Sequence, residues 1–238
     1  MTVPWLIRPA LLSITLGFLA AGACYVSANI SLGLFLGPLI FATILTPPLA
    51  LSRERKCEQG ATVGGIAFGI SAVWAIAAMR SDVTFLHWLQ CTLMLAAMVV
   101  AVWGIASLIV RATRDATYAS AITILFSLLW MTWPVWLSRG LAETSDAERL
   151  AAWLVPLHPP LVVSSLLDMG VWGEQRVAYH LTTLGQDVAY RPPAQPWGAI
   201  VVHLTIGVAA LGMSTIVKRQ LQRKRDDAMS SDQKIPTS

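Results

Sequence analysis

The chain has 238 residues, of which 55% are hydrophobic and only 13% are charged. Soluble domains carry roughly a quarter charged residues, so this chain has too few charges to cover a water-facing surface. The formal charge of +4 and the pI of about 9.2 do not indicate nucleic acid as a partner. Basic residues beside apolar segments set the orientation of membrane helices instead.

Six apolar blocks are long enough to cross a bilayer, whose core of about 30 Å requires about 20 apolar residues. None of the blocks contains Asp, Glu, Lys or Arg. Because lipid offers no hydrogen bonds to the backbone, we expect each block to be helical. The sequence therefore predicts an all-α integral membrane protein with six transmembrane helices within residues 1–217, at Pro9–Ala28, Ser31–Leu51, Ala61–Met79, His87–Val110, Tyr118–Leu137 and Trp197–Val217.

The positive charges predict that both termini are cytoplasmic. With the N-terminus inside, the inner segments hold 12 of the 17 basic residues and the outer segments hold 5. Basic residues are concentrated on the cytoplasmic side of membrane helices. Trp88, Trp136 and Trp197 then fall at the outer interface, where indole rings are favoured.

Two cytoplasmic segments are strongly charged. The loop from Ser52 to Gly60 is predicted either to dock a cytoplasmic partner or to lie solvated against anionic lipid; its docking candidates are Arg53, Glu54, Arg55, Lys56 and Glu58. The basic tail, residues 218–238, is predicted to contact anionic lipid and to be partly disordered at its end. Its anchoring residues are Lys218, Arg219, Arg223, Lys224 and Arg225.

The outer segment between the fifth and sixth blocks, residues 138–196, is the longest piece that does not span. Its apolar run Leu150–Met169 is interrupted by Pro156, Pro159 and Pro160, which break a straight helix. We expect a pair of short helices that lie on, or dip into, the outer leaflet.

Glycine and proline predict local features of two helices. In the third block, Gly65 and Gly69 form a small-xxx-small pattern, which permits close contact with another helix. In the second block, Pro47-Pro48 predicts a kink or an early end of the helix.

The sequence lacks the common signatures of membrane chemistry. It contains no GxxxxGK[ST] phosphate loop, no HExxH and no GxSxG. No carboxylate or lysine lies in any block, and this disfavours a self-contained pump driven by protons or sodium ions. We expect no catalytic residue, cofactor or metal site. The outer segment holds five ionisable side chains that could form a metal or acid–base site, and ordinary loop polarity is the favoured interpretation of them: His158, Asp168, Glu174, His180 and Asp187. For His203, in the sixth block, the favoured interpretation is an interhelical hydrogen bond.

The three cysteines are scattered, with no metal-ligand spacing. Ala21-Gly22-Ala23-Cys24 resembles a bacterial lipoprotein box, but a second apolar block follows almost at once, so we expect the segment to be retained. This stretch points towards a bacterial inner membrane.

The layout resembles the permease of a type-2 ABC exporter. Ser52-Arg-Glu-Arg followed by Glu58-Gln-Gly60 is similar to that family's charged E-R-G stretch, and Leu150–Met169 corresponds to its re-entrant outer helices. The resemblance implies six spans, a separate P-loop ATPase and pairing with a second permease chain. No coupling-helix pattern follows the glycine of this loop.

Three functional hypotheses follow. The first is the membrane-spanning subunit of an ATP-driven transporter, moving a lipid-like or amphipathic substrate, with no enzymatic activity of its own. The second is a non-catalytic assembly or structural protein of a larger complex. The third is a membrane enzyme acting through His158 or His180 in the outer segment.

Overall fold

The computed structural model describes residues 4–27, 33–79, 83–167 and 195–232, which are helical apart from short turns. Among these residues, six long helices correspond to the six apolar blocks, and three short ones lie in the described stretch that follows the fifth. The long helices are α1 (Pro4–Ser27), α2 (Gly33–Leu51), α3 (Lys56–Ala78), α4 (Phe85–Thr113), α5 (Ala116–Trp136) and α9 (Trp197–Asp232). The short helices are α6 (Ser138–Ala142), α7 (Ala147–Leu154) and α8 (Pro159–Leu166), with a 3₁₀ turn at Val155–Leu157 before α8.

In the described part of the chain, which is all helical, four helices are long and apolar enough to cross a membrane, as expected of a membrane protein. They are α3, α4 and α5 over their whole lengths and α9 over Trp197–Arg223. In α1 and α2 the described apolar stretches, Ile7–Ala23 and Phe35–Leu51, are shorter. The prediction of membrane helices is confirmed at this level.

Helix α4 lies at the centre of the bundle and packs against α2, α3, α5, α8 and α9. Its inward side chains, including Cys91, Met94, Leu95 and Val99, have no exposed surface. The part of α4 that lies inside the bundle can be this apolar because neighbouring helices cover it on several sides.

Helices α1 and α3 approach each other at backbone distance. A Cβ atom added to Gly65 would lie 2.8 Å from the carbonyl oxygen of Ala10, and one added to Gly69 would overlap the carbonyl oxygen of Ile14. Gly17 of α1 faces the same contact, since its Cβ would lie 2.6 Å from Ile66 O. The close approach predicted from Gly65 and Gly69 is therefore confirmed.

A second close crossing joins α4 and α9. A Cβ atom on Gly104 would overlap the carbonyl oxygen of Gly207, and a Cβ atom on Gly207 would lie 2.7 Å from Val100 O. Only glycine allows two helices to approach so closely at this pair of positions.

The proline pair of α2 does not end the helix, which continues through Pro47 and Pro48 to Leu51. Of the two predicted alternatives, a kink or an early end near Pro47, the early end does not occur, and the predicted end of the block at Leu51 is confirmed. Neighbouring helices in a membrane bundle stabilise a helix across a proline, although a backbone donor is lost. The packing of α2 against α3, α4 and α5 is consistent with this explanation.

The tail begins as a continuation of α9, which extends to Asp232. Lys218, Arg219 and Arg223 are exposed on it, so they are available to a membrane surface or a partner. Lys224 and Arg225 lie in the same helix, but their side chains are outside the described part of the structure, as is everything after Asp232. Disorder at the end of the tail stays a prediction.

Candidate functional site

Within the described part of the outer segment, the apolar run that begins at Leu150 contains two short helices, α7 and α8, with different environments. Helix α7 lies at the surface, with Trp153 exposed, whereas α8 is buried almost throughout and packs against α2 and α4. Pro159 and Pro160 occupy the first turn of α8, where a missing backbone N–H costs little. The predicted pair of short helices is confirmed, and one of the two is inserted into the bundle.

His158 holds α8 in place. Its ring has no exposed surface. The Nε2 atom lies 2.8 Å from the carbonyl oxygen of Met131 on α5, and Nδ1 accepts a hydrogen bond of 3.3 Å from the backbone N–H of Leu161. The ring therefore links α5 to the N-terminus of α8. Trp130 and Trp133 flank it edge-on, with ring centroids 6.4 and 5.7 Å away.

The two contacts fix the protonation state of His158. A carbonyl oxygen only accepts, so Nε2 carries the proton, and Nδ1 must be bare to accept from Leu161. Burial accordingly lowers the pKa of His158 to about 4. With both nitrogens engaged by backbone groups and no exposure, this ring is not placed to act as a general base. The structure gives His158 a structural role, and it offers no support for catalysis at this residue.

The remaining outer-segment candidates, Asp168, Glu174, His180 and Asp187, lie outside the described residues. Among the described residues, no group of three or more histidine, cysteine or carboxylate side chains could hold a metal ion.

An apolar cavity of about 250 Å³ lies beside the inserted segment. It forms because α5 and α9 each pack against α4 but make no extensive contact with each other. Leu157 of the 3₁₀ turn closes one side, and the half-exposed Phe126 and Ile206 mark its edge on the bundle surface. The lining residues are Met98, Ala101, Val102, Ile105, Phe126, Ser127, Trp130, Met131, Leu157, Val202, His203 and Ile206.

The cavity has two polar side chains, and sequence reasoning identified neither as part of it. His203, 6% exposed, has its Nδ1 atom 2.8 Å from the carbonyl oxygen of Ala199, four residues earlier in the same helix. The expected interhelical hydrogen bond is therefore replaced by one within α9. Ser127, 7% exposed, makes no side-chain hydrogen bond to any residue in the described part of the chain.

The charged loop between α2 and α3 lies at the end of the bundle predicted to be cytoplasmic. Glu54, Arg55 and Lys56 are exposed, and Arg53 and Glu58 are partly exposed. No separate helix follows the loop, because Lys56 already begins α3. The docking candidates are thus placed on one short, accessible segment.

A buried glutamine, which sequence reasoning did not single out, shapes this loop. Gln59 donates to the carbonyl oxygen of Arg53 at 2.7 Å, and its Oε1 atom accepts from Trp103 Nε1 at 3.2 Å. Lys56 Nζ lies 5.8 Å from the centre of the Trp103 ring, within the range of a cation–π interaction. The loop is therefore fastened to α4 by contacts that no local sequence motif reveals.

Three cations from different helices gather next to this loop. Lys56 of α3 is close enough to Arg111 of α4 and Lys218 of α9 for their charges to repel. This arrangement makes this end of the bundle attractive to acidic groups of lipid or protein.

Comparisons with known proteins add no relative to this picture. No protein-family model, curated protein or solved structure matches the chain.

Proposed function

We propose that this chain is the membrane-spanning subunit of an ATP-driven transporter, of the layout found in type-2 ABC exporters. It would work with a separate P-loop ATPase chain and with a second permease chain, identical or similar. The substrate would be lipid-like or amphipathic, because none of the six apolar blocks offers a charged group to a polar solute.

The observation that carries the proposal is the inserted segment between α5 and α9. His158 fastens α8 to α5, and α8 packs against α2 and α4. The type-2 exporter layout has short re-entrant helices at this place, before the last span. An assembly protein could have the same number of helices, and it is the alternative to this proposal.

The proposal includes six spans with both ends in the cytoplasm of a bacterial inner membrane. In this arrangement the loop holding Arg53, Arg55 and Lys56, the turn after Thr113 and the basic part of α9 all face inward. These are the segments richest in Lys and Arg, in agreement with the rule for cytoplasmic loops.

A cysteine accessibility experiment tests this orientation. Cys57 is exposed in the α2–α3 loop, whereas Cys91 is buried. In a variant carrying Cys24→Ala and Cys91→Ala, a membrane-impermeant maleimide is expected to label Cys57 in inverted vesicles and not in intact spheroplasts. Labelling from the outside would contradict cytoplasmic termini.

Copurification tests the ATPase partner. We expect the C-terminally tagged chain, extracted in mild detergent, to recover a stoichiometric P-loop ATPase. The triple variant Arg53→Ala, Arg55→Ala, Lys56→Ala should reduce that recovery at least tenfold, because it removes the charges of the docking loop.

The matched control removes three positive charges from the same end of the molecule. Lys218→Ala, Arg219→Ala, Arg223→Ala should leave ATPase recovery unchanged. If the chain is recovered alone, or with other membrane proteins and no ATPase, transport is contradicted and the assembly role is favoured.

A further inference from the structure

Three helices bring positive charges together at the end of the bundle that holds the α2–α3 loop. Lys56 begins α3, Arg111 lies in the last turn of α4, and Lys218 lies on α9. The neighbouring charges that act on Lys56 are those of Arg111 and Lys218, and both are positive. Because like charges repel, a negative group that binds among the three side chains would stabilise the cluster.

Packed helices hold these cations in place. Gly104 and Gly207 bring the backbones of α4 and α9 into contact. On the other side of α4, Gln59 accepts a hydrogen bond from Trp103 at 3.2 Å, and Lys56 Nζ lies 5.8 Å from the centre of the same ring. The cluster is therefore a fixed feature of the bundle, unlike the charges of a free tail.

The three cations are accessible and lack a negative partner. Lys56 and Lys218 are exposed, and Arg111 is partly exposed. None of the three makes a hydrogen bond or an ion pair with a residue in the described part of the chain. The planar guanidinium group of Arg111 suits the oxygen atoms of a phosphate, and the two ammonium groups add charge from the neighbouring helices.

The surface next to the cluster identifies a lipid as the source of the negative group. Met213 and Ile216, within two turns before Lys218, are 49% and 56% exposed, and α9 is apolar enough over this stretch to cross a membrane. The cations thus lie where an apolar surface ends, which is the level of phospholipid headgroups in a bilayer. A phospholipid can contact the apolar residues with its acyl chains and the cations with its phosphate, whereas a soluble acidic protein matches only the cations.

We propose that Lys56, Arg111 and Lys218 form a binding site for the phosphate headgroup of one anionic phospholipid. Such a site differs from the general attraction of a basic tail to a charged membrane, because its three cations come from three packed helices. Arg111 belongs neither to the predicted docking residues nor to the predicted anchoring residues, so it tests the site apart from both. Lipid binding is a property of the purified chain and does not depend on the proposed transport.

Native mass spectrometry of the full chain in detergent micelles tests the proposal, because it counts bound lipids directly. The probes are phosphatidylglycerol and phosphatidylcholine with the same acyl chains, which share a phosphodiester group but differ in net charge. We expect one phosphatidylglycerol to bind roughly tenfold or more tightly than phosphatidylcholine. Arg111→Gln should weaken phosphatidylglycerol binding about fivefold, the effect of one cation near an anionic headgroup, and leave phosphatidylcholine binding unchanged.

Arg114→Gln is the matched control, since it removes the same kind of charge three residues further along the chain. Arg114 is exposed and is not among the charges that act on Lys56. This variant should bind phosphatidylglycerol like the unmodified chain. Arg111→Gln should fold at least as well as the unmodified chain without lipid, because it removes a repulsion. Added phosphatidylglycerol should then stabilise the unmodified chain more than this variant.

Equal binding of the two lipids by the unmodified chain would overturn the proposal. So would an equal loss of phosphatidylglycerol binding in Arg111→Gln and Arg114→Gln, because the attraction would then be diffuse. The water-soluble ester sn-glycerol 3-phosphate should not displace the lipid at equal concentration. If it does, the site takes a free phosphate ester, and a phospholipid is the wrong ligand.

Discussion

Replacing Gly69 with leucine is expected to destabilise the bundle by about 3 kcal/mol or more. A larger side chain that forces the backbone of a neighbouring helix to move costs more free energy than one that only displaces side chains. A Cβ atom at this position overlaps the carbonyl oxygen of Ile14 and lies 2.9 Å from Phe18 N. Both are backbone atoms of α1, so the helices must separate along their contact. The measurement is equilibrium unfolding in mixed detergent micelles containing increasing SDS.

Gly64 in the same helix provides the matched control. A Cβ atom there meets nothing within 4 Å, so leucine can be placed without a clash. Leucine also has a higher helix propensity than glycine by up to about 1 kcal/mol, and this gain applies to both variants. Gly64→Leu should therefore be neutral or stabilising. Equal destabilisation by the two substitutions would contradict the close α1–α3 contact.

The α4–α9 crossing allows the same comparison beside the cavity. Gly207→Leu should destabilise the protein by a similar amount, because its Cβ would lie 2.7 Å from the backbone of Val100, whereas Gly212→Leu meets open space.

Loss of the His158 side chain is also expected to lower the stability of the protein strongly. His158→Ala should cost about 3 kcal/mol, since it removes two buried hydrogen bonds and the packing of the ring between two tryptophans. The backbone N–H of Leu161, in the first turn of α8, would lose the side-chain acceptor that caps it. Proteolysis should then detect the outer segment released from the bundle, while the long helices remain protected.

The same residue makes the stability of the protein depend on pH. The pKa of His158 falls from 6.5, its value when unfolded, to about 4 in the folded chain. Between these pH values the unfolded chain binds a proton that the folded chain does not. The stability contributed by neutral His158 is therefore complete above pH 6.5 and is lost as pH falls towards 4. The full difference is about 3 kcal/mol.

The variant His158→Phe isolates the contribution of His158 to the pH dependence of stability. It keeps an aromatic ring in the pocket and cannot be protonated, so its unfolding free energy should change less between pH 7 and pH 4.5 than that of the unmodified chain. His203 is the other ionisable group whose charge acts on His158, and it remains in both proteins. Identical pH profiles would show that His158 is not held in its neutral form.

The sequence by itself determined the helical character and the layout of this protein. Uncharged blocks of about 20 residues can satisfy their backbone hydrogen bonds in lipid only as helices, so block length suffices to place them. Gly65 and Gly69 likewise predicted a close helix contact, because small residues spaced by four lie on one face of a helix. The prolines of the outer segment correctly predicted that its apolar run forms short helices and not one long helix.

Only the tertiary structure decided which residues meet. His158 accepts from Leu161 nearby but donates to Met131, 27 positions away, and no spacing rule connects them. Gln59 accepts a hydrogen bond from Trp103, 44 positions away. The close helix contact at Gly104 depends on Gly207, in another helix. The cavity arises where α5 and α9 both pack on α4 but make no extensive contact with each other. Such a gap depends on how three helices cross, whereas the hydrophobic pattern records only that each helix is apolar.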